Sequence, residues 1–247
     1  MARRGLKAMS DLRGIFIVKN VILPDPQTVQ VWLDFDGTIS RQDVLDELVN
    51  KFSHNESWRL IEERWKAGLI GSEACLREEF SLLDVSDKDL YDFIDQVEID
   101  SGFLPLISLL RQHHVPFAIL SDGIEKFIRR ILSRFSVSDI KIRANRIARV
   151  DQQLHLVCPH KTEFCLSAAA HCKCSSARDL HIGRRKTIYV GDGRSDICPA
   201  RQADIVFAKG VLAQELAARQ HAYIPYNSLH DIAATMNGAW TSRVAAI

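Results

Sequence analysis

Short apolar segments alternate with helical patterns along most of this chain, and that alternation restricts the fold more than any other feature. Runs with strand composition are found at residues 29–33, 116–120, 140–144, 187–190, 205–207 and 222–224. Helical spacing of apolar residues is found at residues 104–112, 124–135, 175–180, 197–202 and 212–219. Strands that alternate with helices are typical of a parallel sheet with crossover helices. We therefore predict an α/β protein with a doubly wound parallel sheet.

The segment between the first two predicted strands breaks this alternation, because its apolar residues keep helical spacing throughout. Residues 40–100 carry 16 acidic and 7 basic residues, whereas the whole 247-residue chain has a net charge of +1. We expect Ser72 and Ser86 to be the N-caps of two helices in this segment. The sequence predicts a small helical domain within a larger core. The predicted bounds are an N-terminal extension at 1–28, a core at 29–40 and 101–247, and a helical domain at 41–100.

Polar residues follow three of the predicted strands at the point where each strand ends. These residues are Asp34 and Asp36, then Ser121, Asp122 and Gly123, and finally Asp192 and Asp196. In an open parallel sheet, ligands bind beyond the carboxyl ends of the strands. We therefore expect all three loops to lie at one edge of the sheet and to form a single site.

The carboxylates in these loops suit phosphoryl transfer. Asp34 and Asp36 are two residues apart, so on an extended chain they point the same way, and one could attack phosphorus while the other handles a proton. Asp192 lies across from Asp34 and would complete an oxygen-rich Mg²⁺ site. Asp196 could be a second ligand or a partner behind the ligands.

The loop at Ser121, Asp122 and Gly123 suits the binding of a phosphate group. A hydroxyl and main-chain N–H groups at a helix start can hold phosphate oxygens. Each of the three loops alone is also compatible with a simple turn or a helix cap. Their coincidence at the ends of three strands favours the catalytic interpretation.

Composition argues against several other classes of function. A net charge of +1 gives no indication of nucleic-acid binding, and we interpret the basic residues between 126 and 149 as a solvated helix face. No apolar run approaches the ~20 residues that cross a bilayer. Without an export signal we expect a cytoplasmic protein with reduced thiols. The Cys- and His-containing segment 155–174 has no Cys-x-x-Cys pair, so we favour a loop there, and zinc binding stays open.

With these residues the chain resembles the haloacid dehalogenase (HAD) superfamily of phosphotransferases. The motifs of that family are Asp-x-Asp-x-Thr, a Ser or Thr after the second strand, a lysine, and Gly-Asp-x-x-x-Asp. The chain matches them at residues 34–38, at Ser121 and at residues 191–196. The resemblance spans about residues 29–225.

The resemblance implies specific roles. Asp34 would be phosphorylated, and Asp36 would be the general acid and base. Mg²⁺ would be bound by Asp34, the main-chain carbonyl of Asp36, and Asp192, with Asp196 nearby. The helical domain would be a cap that covers the site and limits the substrate to a small metabolite.

The motif lysine could be Lys173 or Lys186. Lys186 directly precedes the strand at 187–190, so it should lie at the amino end of that strand, far from the site edge. Lys173 is expected at the start of the preceding helix, where the family keeps this residue. We therefore predict Lys173 as the lysine that neutralises the nucleophile and the phosphoryl oxygens.

Two branches of the superfamily are most similar: phosphoserine phosphatase, and the methionine-salvage phosphatase acting on 2-hydroxy-3-keto-5-methylthiopentenyl-1-phosphate. Phosphoserine phosphatases usually carry a cap arginine that binds the substrate carboxylate, and here that position is Glu79. A glutamate would repel a carboxylate. Arg77, from a neighbouring turn, could bind the substrate instead. The stretch at 79–83 and the cysteine-rich segment look more like the methionine-salvage enzyme.

We predict a Mg²⁺-dependent phosphomonoester hydrolase for a small phosphorylated metabolite, with no nucleic-acid or membrane partner and an undetermined oligomeric state. A phosphomutase or phosphotransferase with the same site is an alternative, which product analysis would separate. A non-catalytic phospholigand-binding or receiver-type module is another. Such modules lack a large insertion after the first strand, and a complete pair of acids has no purpose in a passive binder.

Overall fold

The computed structural model describes residues 23–151 and 153–244. Residues 1–22, most of the predicted N-terminal extension, therefore lie outside the described residues. The rest of that extension packs on the core, since Leu23 is buried and the indole N–H of Trp240 donates to the carbonyl of Pro24 at 3.1 Å. A 3₁₀ helix, Pro26–Thr28, then leads into the first strand.

The described residues form one seven-stranded sheet. Its strands are Val29–Leu33 (β1), Phe117–Ile124 (β2), Lys141–Val150 (β3), Gln153–Val157 (β4), Lys186–Gly191 (β5), Ile205–Ala208 (β6) and Ile224–Pro225 (β7). The order across the sheet is β4-β3-β2-β1-β5-β6-β7. Every neighbouring pair is parallel except β3 with β4. The central strand β1 is fully buried, as expected for a strand covered on both faces.

Helices cover both faces of this sheet. Those in the described part of the chain are Val44–Phe52 (α1), Trp58–Lys66 (α2), Ser72–Ser81 (α3), Asp87–Ile94 (α4), Phe103–Gln112 (α5), Glu125–Ser133 (α6), Lys173–Asp179 (α7), Ile197–Ala200 (α8), Gly210–Ala218 (α9) and Leu229–Val244 (α10). None of the described helices is both long and apolar enough to span a membrane.

The alternation of side chains along β1 divides the core into two layers. Val31 and Leu33 belong to the larger apolar cluster, which α5, α6 and α10 cover. Trp32 points the other way into a smaller cluster with Tyr189, which α8 and α9 cover. Successive residues of a strand face opposite sides of a sheet, so a strand covered on both faces is mostly apolar. Gln30 is the polar exception in β1, and its amide donates to the Thr187 hydroxyl and accepts from the N–H of Ile182. The predicted doubly wound α/β fold is confirmed.

Helices α1 to α4 form an insertion between β1 and α5. The chain leaves and re-enters the core through two adjacent segments, which are joined by an antiparallel bridge between Ser40 and Ile99. Main-chain bonds flank this bridge: Arg41 donates to the carbonyl of Glu98, and Asp100 donates to that of Ile39. The two connections leave the carboxyl edge of the sheet together, which holds the inserted helices over that edge.

Three local features differ from the sequence prediction. The strand predicted at 140–144 extends to residue 150 and forms a hairpin with β4, which was not predicted. The turn of this hairpin has Asp151 at a φ of 47° rather than a glycine, so the usual hairpin signal is absent. Helix α10 was also not predicted. Ser72 is the first residue of α3, and Gly71 holds the N-cap position, whereas Ser86 caps α4 by accepting a bond from the N–H of Asp89.

Candidate active site

Asp34 and Asp36 stand at the carboxyl end of β1, where the chain turns away from the sheet. The N–H of Asp34 donates to the carbonyl of Val190 in β5 at 2.9 Å, which fixes the first carboxylate at the sheet edge. Gly37 then takes a φ of 72°, a conformation that favours glycine. A Cβ at Gly37 would also collide with Oδ2 of Asp192. The glycine therefore lets the carboxylate of Asp192 approach this turn.

Lys173, the first residue of α7, joins two of the predicted loops. Its buried Nζ lies 2.7 Å from Oδ1 of Asp34, 2.6 Å from Oδ1 of Asp196 and 2.9 Å from Oγ of Ser195. Burial disfavours the charged amine, but Asp196 and Asp34 outweigh burial and raise the pKa of Lys173, so the ammonium stays protonated. Lys186, the alternative candidate, is the exposed first residue of β5.

The carboxylate of Asp196 is fully occupied by protein donors. Oδ1 accepts from the hydroxyl of Tyr189 at 2.6 Å as well as from Lys173, and Oδ2 accepts from the N–H groups of Asp192 and Gly193, both at 3.0 Å. Asp196 therefore fixes both the lysine and the loop that presents Asp192.

Asp34, Asp192 and Asp196 bring carboxylate oxygens within 4.8 Å of one another. Oδ1 of Asp192 accepts from Oγ1 of Thr38 at 2.7 Å. Oδ2 of Asp34 and Oδ2 of Asp192 accept no hydrogen bond from the residues that the structure describes. Hard oxygen ligands are those that Mg²⁺ prefers. The donor set therefore fits a magnesium ion held mainly by Asp34 and Asp192.

Crowding of carboxylates raises their pKa values. Burial, and then the charge of Asp196, raise the pKa of Asp34 well above its usual range. Burial, followed by the charge of Asp43, raises the pKa of Asp36 to about 7. Burial and Asp196 raise that of Asp192 to about 6. The single positive charge of Lys173 does not neutralise the carboxylates of this cluster. These carboxylates therefore favour the binding of a further cation and of a proton.

Ser121 and Gly123, at the carboxyl end of β2, contact the second aspartate of the first loop. The hydroxyl of Ser121 donates to Oδ2 of Asp36 at 2.9 Å and accepts from the N–H of Gly123 at 2.8 Å. The N–H of Val44, the first residue of α1, donates to the other carboxylate oxygen of Asp36 at 3.2 Å. A helix of the insertion and a loop of the core therefore both orient Asp36.

Asp122 lies between Ser121 and Gly123, and its carboxylate links three segments. Oδ1 accepts from the N–H of His171 at 2.8 Å, and Oδ2 accepts from Oγ of Ser72 at 2.9 Å. The same Ser72 hydroxyl accepts from the N–H of Ala170 at 3.0 Å. Asp122 therefore connects the carboxyl end of β2, the first turn of α3 and the segment before Lys173.

His171 is a buried, neutral histidine beneath the site. Nδ1 lies 2.8 Å from the carbonyl of Ser121, and Nε2 lies 2.7 Å from Oγ of Ser176. A carbonyl only accepts, so Nδ1 carries the proton and Nε2 accepts from the serine. Burial lowers the pKa of His171 to about 3.

These groups open into a cleft of about 420 Å³ between the core and the inserted helices. The core side carries Asp34, Asp36, Lys173 and Asp192. The side formed by the insertion carries mainly apolar and acidic residues, namely Leu45, Trp65, Cys75, Leu76, Asp43, Asp46, Glu62 and Glu79, together with Arg41, Gln42 and Ser72.

The structure does not bring Arg77 together with the other candidate residues. Its guanidinium donates to the carbonyl of Leu156 at 2.8 Å and pairs with Glu73, so it ties α3 to β4 rather than lining the cleft. Sequence reasoning also missed Ser72, His171 and Tyr189. The pattern predicts Ser72 as a helix cap, and a tyrosine in a buried strand usually belongs to the core. Neither Ser72 nor Tyr189 therefore carries a distinct signal of its place in the site.

Comparisons with known proteins find relatives along most of this chain. The model of the haloacid dehalogenase-like hydrolase family matches residues 31–201. The 2-hydroxy-3-keto-5-methylthiopentenyl-1-phosphate phosphatase of Bacillus cereus (strain G9842) is 27% identical over 212 residues, covering 83% of this chain and 94% of that protein. The protein of the same name from Brevibacillus brevis (strain 47 / JCM 6285 / NBRC 100599) is 28% identical over 205 residues, covering 82% and 92%.

Solved structures share the fold. A substrate-bound phosphoserine phosphatase complex superposes with a TM-score of 0.64 at 20% identity, covering 83% of this chain and 96% of that one. A phospho-aspartyl intermediate analogue of phosphoserine phosphatase gives a TM-score of 0.65 at 21% identity, covering 83% and 97%.

Proposed function

Because the chain belongs to the haloacid dehalogenase-like hydrolase family, we propose that it is a Mg²⁺-dependent phosphomonoester hydrolase that works through an aspartyl phosphate at Asp34. The predicted HAD-type phosphatase is itself confirmed by the family match and by relatives named as phosphatases. The metal, the intermediate and the roles of individual residues are the proposal. The observation that supports it most is the contact of Lys173 with Asp34, 2.7 Å away and beside Asp36 and Asp192.

In the first step, Asp34 attacks the phosphorus atom. One carboxylate oxygen of Asp34 forms the new O–P bond as the bond from phosphorus to the leaving oxygen breaks, while Lys173 keeps the carboxylate in place through Oδ1. Asp36 gives its proton to that leaving oxygen. A pKa of about 7 keeps a large share of Asp36 protonated at neutral pH, as a general acid requires.

In the second step, the same residue acts as a base. Asp36, now ionised, takes a proton from a water molecule, whose oxygen bonds to phosphorus while the bond from phosphorus to Asp34 breaks. Inorganic phosphate leaves and Asp34 is restored. The Ser121 hydroxyl and the Val44 N–H orient Asp36 for both proton transfers.

Positive groups at both ends of the site would balance the negative charge of the phosphoryl group. A magnesium ion held by Asp34 and Asp192 would neutralise the phosphoryl oxygens. Lys173 contributes a fixed positive charge, which Asp196 and Ser195 hold in place. The inserted helices are proposed as a cap that excludes water from the cleft.

For the substrate, we favour 2-hydroxy-3-keto-5-methylthiopentenyl-1-phosphate over phosphoserine. The relatives aligned over four-fifths of this chain carry the name of the first activity. In addition, the insertion contributes Glu79 to the cleft, whereas Arg77 lies outside it. A buried carboxylate there opposes a substrate that carries its own carboxylate.

The test is phosphate release from p-nitrophenyl phosphate and from a panel of phosphorylated metabolites, with and without Mg²⁺. We expect Mg²⁺-dependent turnover that Asp34→Asn abolishes and that Asp139→Asn, an exposed control, retains. Transfer of phosphate to an added alcohol or sugar, without release of inorganic phosphate, would instead identify a phosphotransferase. Full activity in Asp34→Asn would contradict the covalent step.

A further inference from the structure

The end of the cleft formed by the insertion is strongly acidic. Four carboxylates line it: Asp43, Asp46, Glu62 and Glu79. Glu62 is paired with Lys66, and Asp43 caps α1 through the N–H groups of Leu45 and Asp46. Glu79 has no comparable partner.

Glu79 is a buried carboxylate that faces the cleft without a strong donor. Its relative exposure is 4%, and its Oε1 accepts only from the thiol of Cys75, at 3.5 Å. Oε2 accepts no hydrogen bond from the described residues. Burial raises the pKa of Glu79 to about 7, and the charges of Glu62 and Asp43 add to this effect. Because Oε2 opens onto the cleft, water there can satisfy it, and a ligand that displaces this water must supply a hydrogen-bond donor in its place.

A metal ion does not fit this end of the cleft. Among the described residues, the group of three or more ligand side chains with atoms within 4.8 Å of one another is that of Asp34, Asp192 and Asp196. The carboxylates around Glu79 are spaced more widely, which suits a donor on an organic molecule. The walls beside them are the side chains of Leu45, Trp65 and Leu76, which suit a short carbon chain.

We infer that Glu79 selects substrates whose leaving group carries a hydrogen-bond donor, a hydroxyl or an ammonium group, and no negative charge. The phosphoryl group would lie against Asp34 and Lys173, and the leaving group would extend towards α3, where Oε2 of Glu79 accepts its donor. This inference rests on the proposed phosphatase function. It assigns a specificity-determining residue to the insertion.

A series of substrates that differ only in the terminal group tests the inference. The series is ethyl phosphate, 2-hydroxyethyl phosphate, phosphoethanolamine and 2-phosphoglycolate, which end in a methyl, hydroxyl, ammonium and carboxylate group respectively. We expect kcat/KM to be at least about tenfold higher for one or both donor-bearing compounds than for ethyl phosphate, and lowest for 2-phosphoglycolate. The ratio of the hydroxyl to the ammonium compound identifies the donor.

Variants of Glu79 show whether this residue is responsible. In Glu79→Gln, the ratio of kcat/KM for the donor-bearing compounds to that for ethyl phosphate should fall by about tenfold. The discrimination against 2-phosphoglycolate should also weaken. In Glu79→Arg, 2-phosphoglycolate should become the preferred member of the series. Glu78→Gln is the matched control, because Glu78 pairs with Arg64 outside the cleft and its loss should leave all four ratios unchanged.

The outcomes separate this inference from the proposed function. Turnover of the whole series with equal kcat/KM, or ratios that are identical in wild type and Glu79→Gln, would overturn the role of Glu79 and leave the phosphatase intact. Absence of turnover for every compound and for p-nitrophenyl phosphate would overturn both. If Glu79→Arg does not fold, Glu79→Gln alone decides the question.

Discussion

At the scale of single residues, we expect substitution of Lys173 to have the largest effect on both stability and turnover. Its removal leaves Asp34 and Asp196 buried without a counter-charge, so Lys173→Met should destabilise the protein by about 3–5 kcal/mol. Turnover should fall by about 10²- to 10³-fold, because the nucleophile loses its fixed positive charge. Urea unfolding and the kcat for p-nitrophenyl phosphate measure the two effects.

The exposed Lys186 provides the control for that variant. Lys186→Met should leave both stability and turnover near wild type. Adding Asp196→Asn to Lys173→Met should restore part of the stability without restoring turnover. Recovery of activity in the double variant would contradict the role assigned to Lys173.

His171 predicts a specific dependence of stability on pH. The folded protein keeps this histidine neutral down to about pH 3, whereas the unfolded chain takes up a proton below about pH 6.5. Its contribution to stability is therefore complete above about pH 6.5 and is lost as the pH falls towards 3, by up to about 1.4 kcal/mol per pH unit. The slope of unfolding free energy against pH should be smaller in His171→Asn than in wild type, and unchanged in the exposed control His155→Asn. Equal slopes in all three proteins would contradict this account.

Much of the site could be predicted from residue types, and its supporting contacts could not. Asp34, Asp36 and Asp192 follow from loops at the ends of parallel strands, Lys173 follows from the family resemblance, and the structure brings the four together. The position of Arg77 depends on its contact with β4, a strand that the sequence pattern did not reveal. The role of Asp122 likewise depends on Ser72 and His171, which are distant in sequence, so no local pattern contains it.

At the scale of secondary-structure elements, the contact between α3 and the core should be needed for activity. Ser72→Ala removes the donor to Asp122 and the acceptor for the N–H of Ala170, both in a buried setting. We expect a loss of about 1–3 kcal/mol in stability and of about tenfold in kcat/KM, because the inserted helices and the Lys173 segment lose their common anchor. Ser86→Ala, which removes the N-cap of α4, should cost about 1 kcal/mol with little change in kcat/KM. Equal kcat/KM in the two variants would argue against a link through Ser72.

Elements with strong periodicity were predictable, and the exceptions have local causes. The buried central strands appear as continuous apolar runs, so β1, β2 and β5 were found. Strand β4 alternates Leu154 and Leu156 with exposed residues over only five positions, and its turn lacks glycine. In α10, Asn237 and Gly238 weaken the helical pattern although Ile232, Met236 and Trp240 keep the spacing of a buried face.

At the scale of the whole molecule, the acidic cluster links metal binding to global stability. Mg²⁺ at about 100 times its Kd should stabilise the folded protein by about 2.7 kcal/mol, which raises Tm by roughly 5–10 °C for a chain of this size. Asp192→Asn should lose most of this shift, and Asp139→Asn should keep it. A Tm independent of Mg²⁺ in wild type would contradict the proposed site. Thermal unfolding followed by circular dichroism, with EDTA as the metal-free reference, makes the comparison.

The overall architecture was the most predictable level, because few topologies satisfy alternating strands and helices with one long insertion. The sheet order places β1 between β2 and β5, which brings the loops after these three strands together at one edge. The family resemblance implies that the inserted helices cover that edge, but the side-chain contacts that hold them there, such as that between Ser72 and Asp122, could not be predicted.

The central claim is that Asp34 carries the phosphoryl group between the two chemical steps. Acid quenching during turnover, followed by borohydride reduction, converts an aspartyl phosphate to homoserine, and peptide mass spectrometry locates it. The account predicts homoserine at position 34 in wild type, and none when substrate is omitted. Undiminished turnover with Asp34 unmodified, or homoserine at another acidic residue, would contradict it.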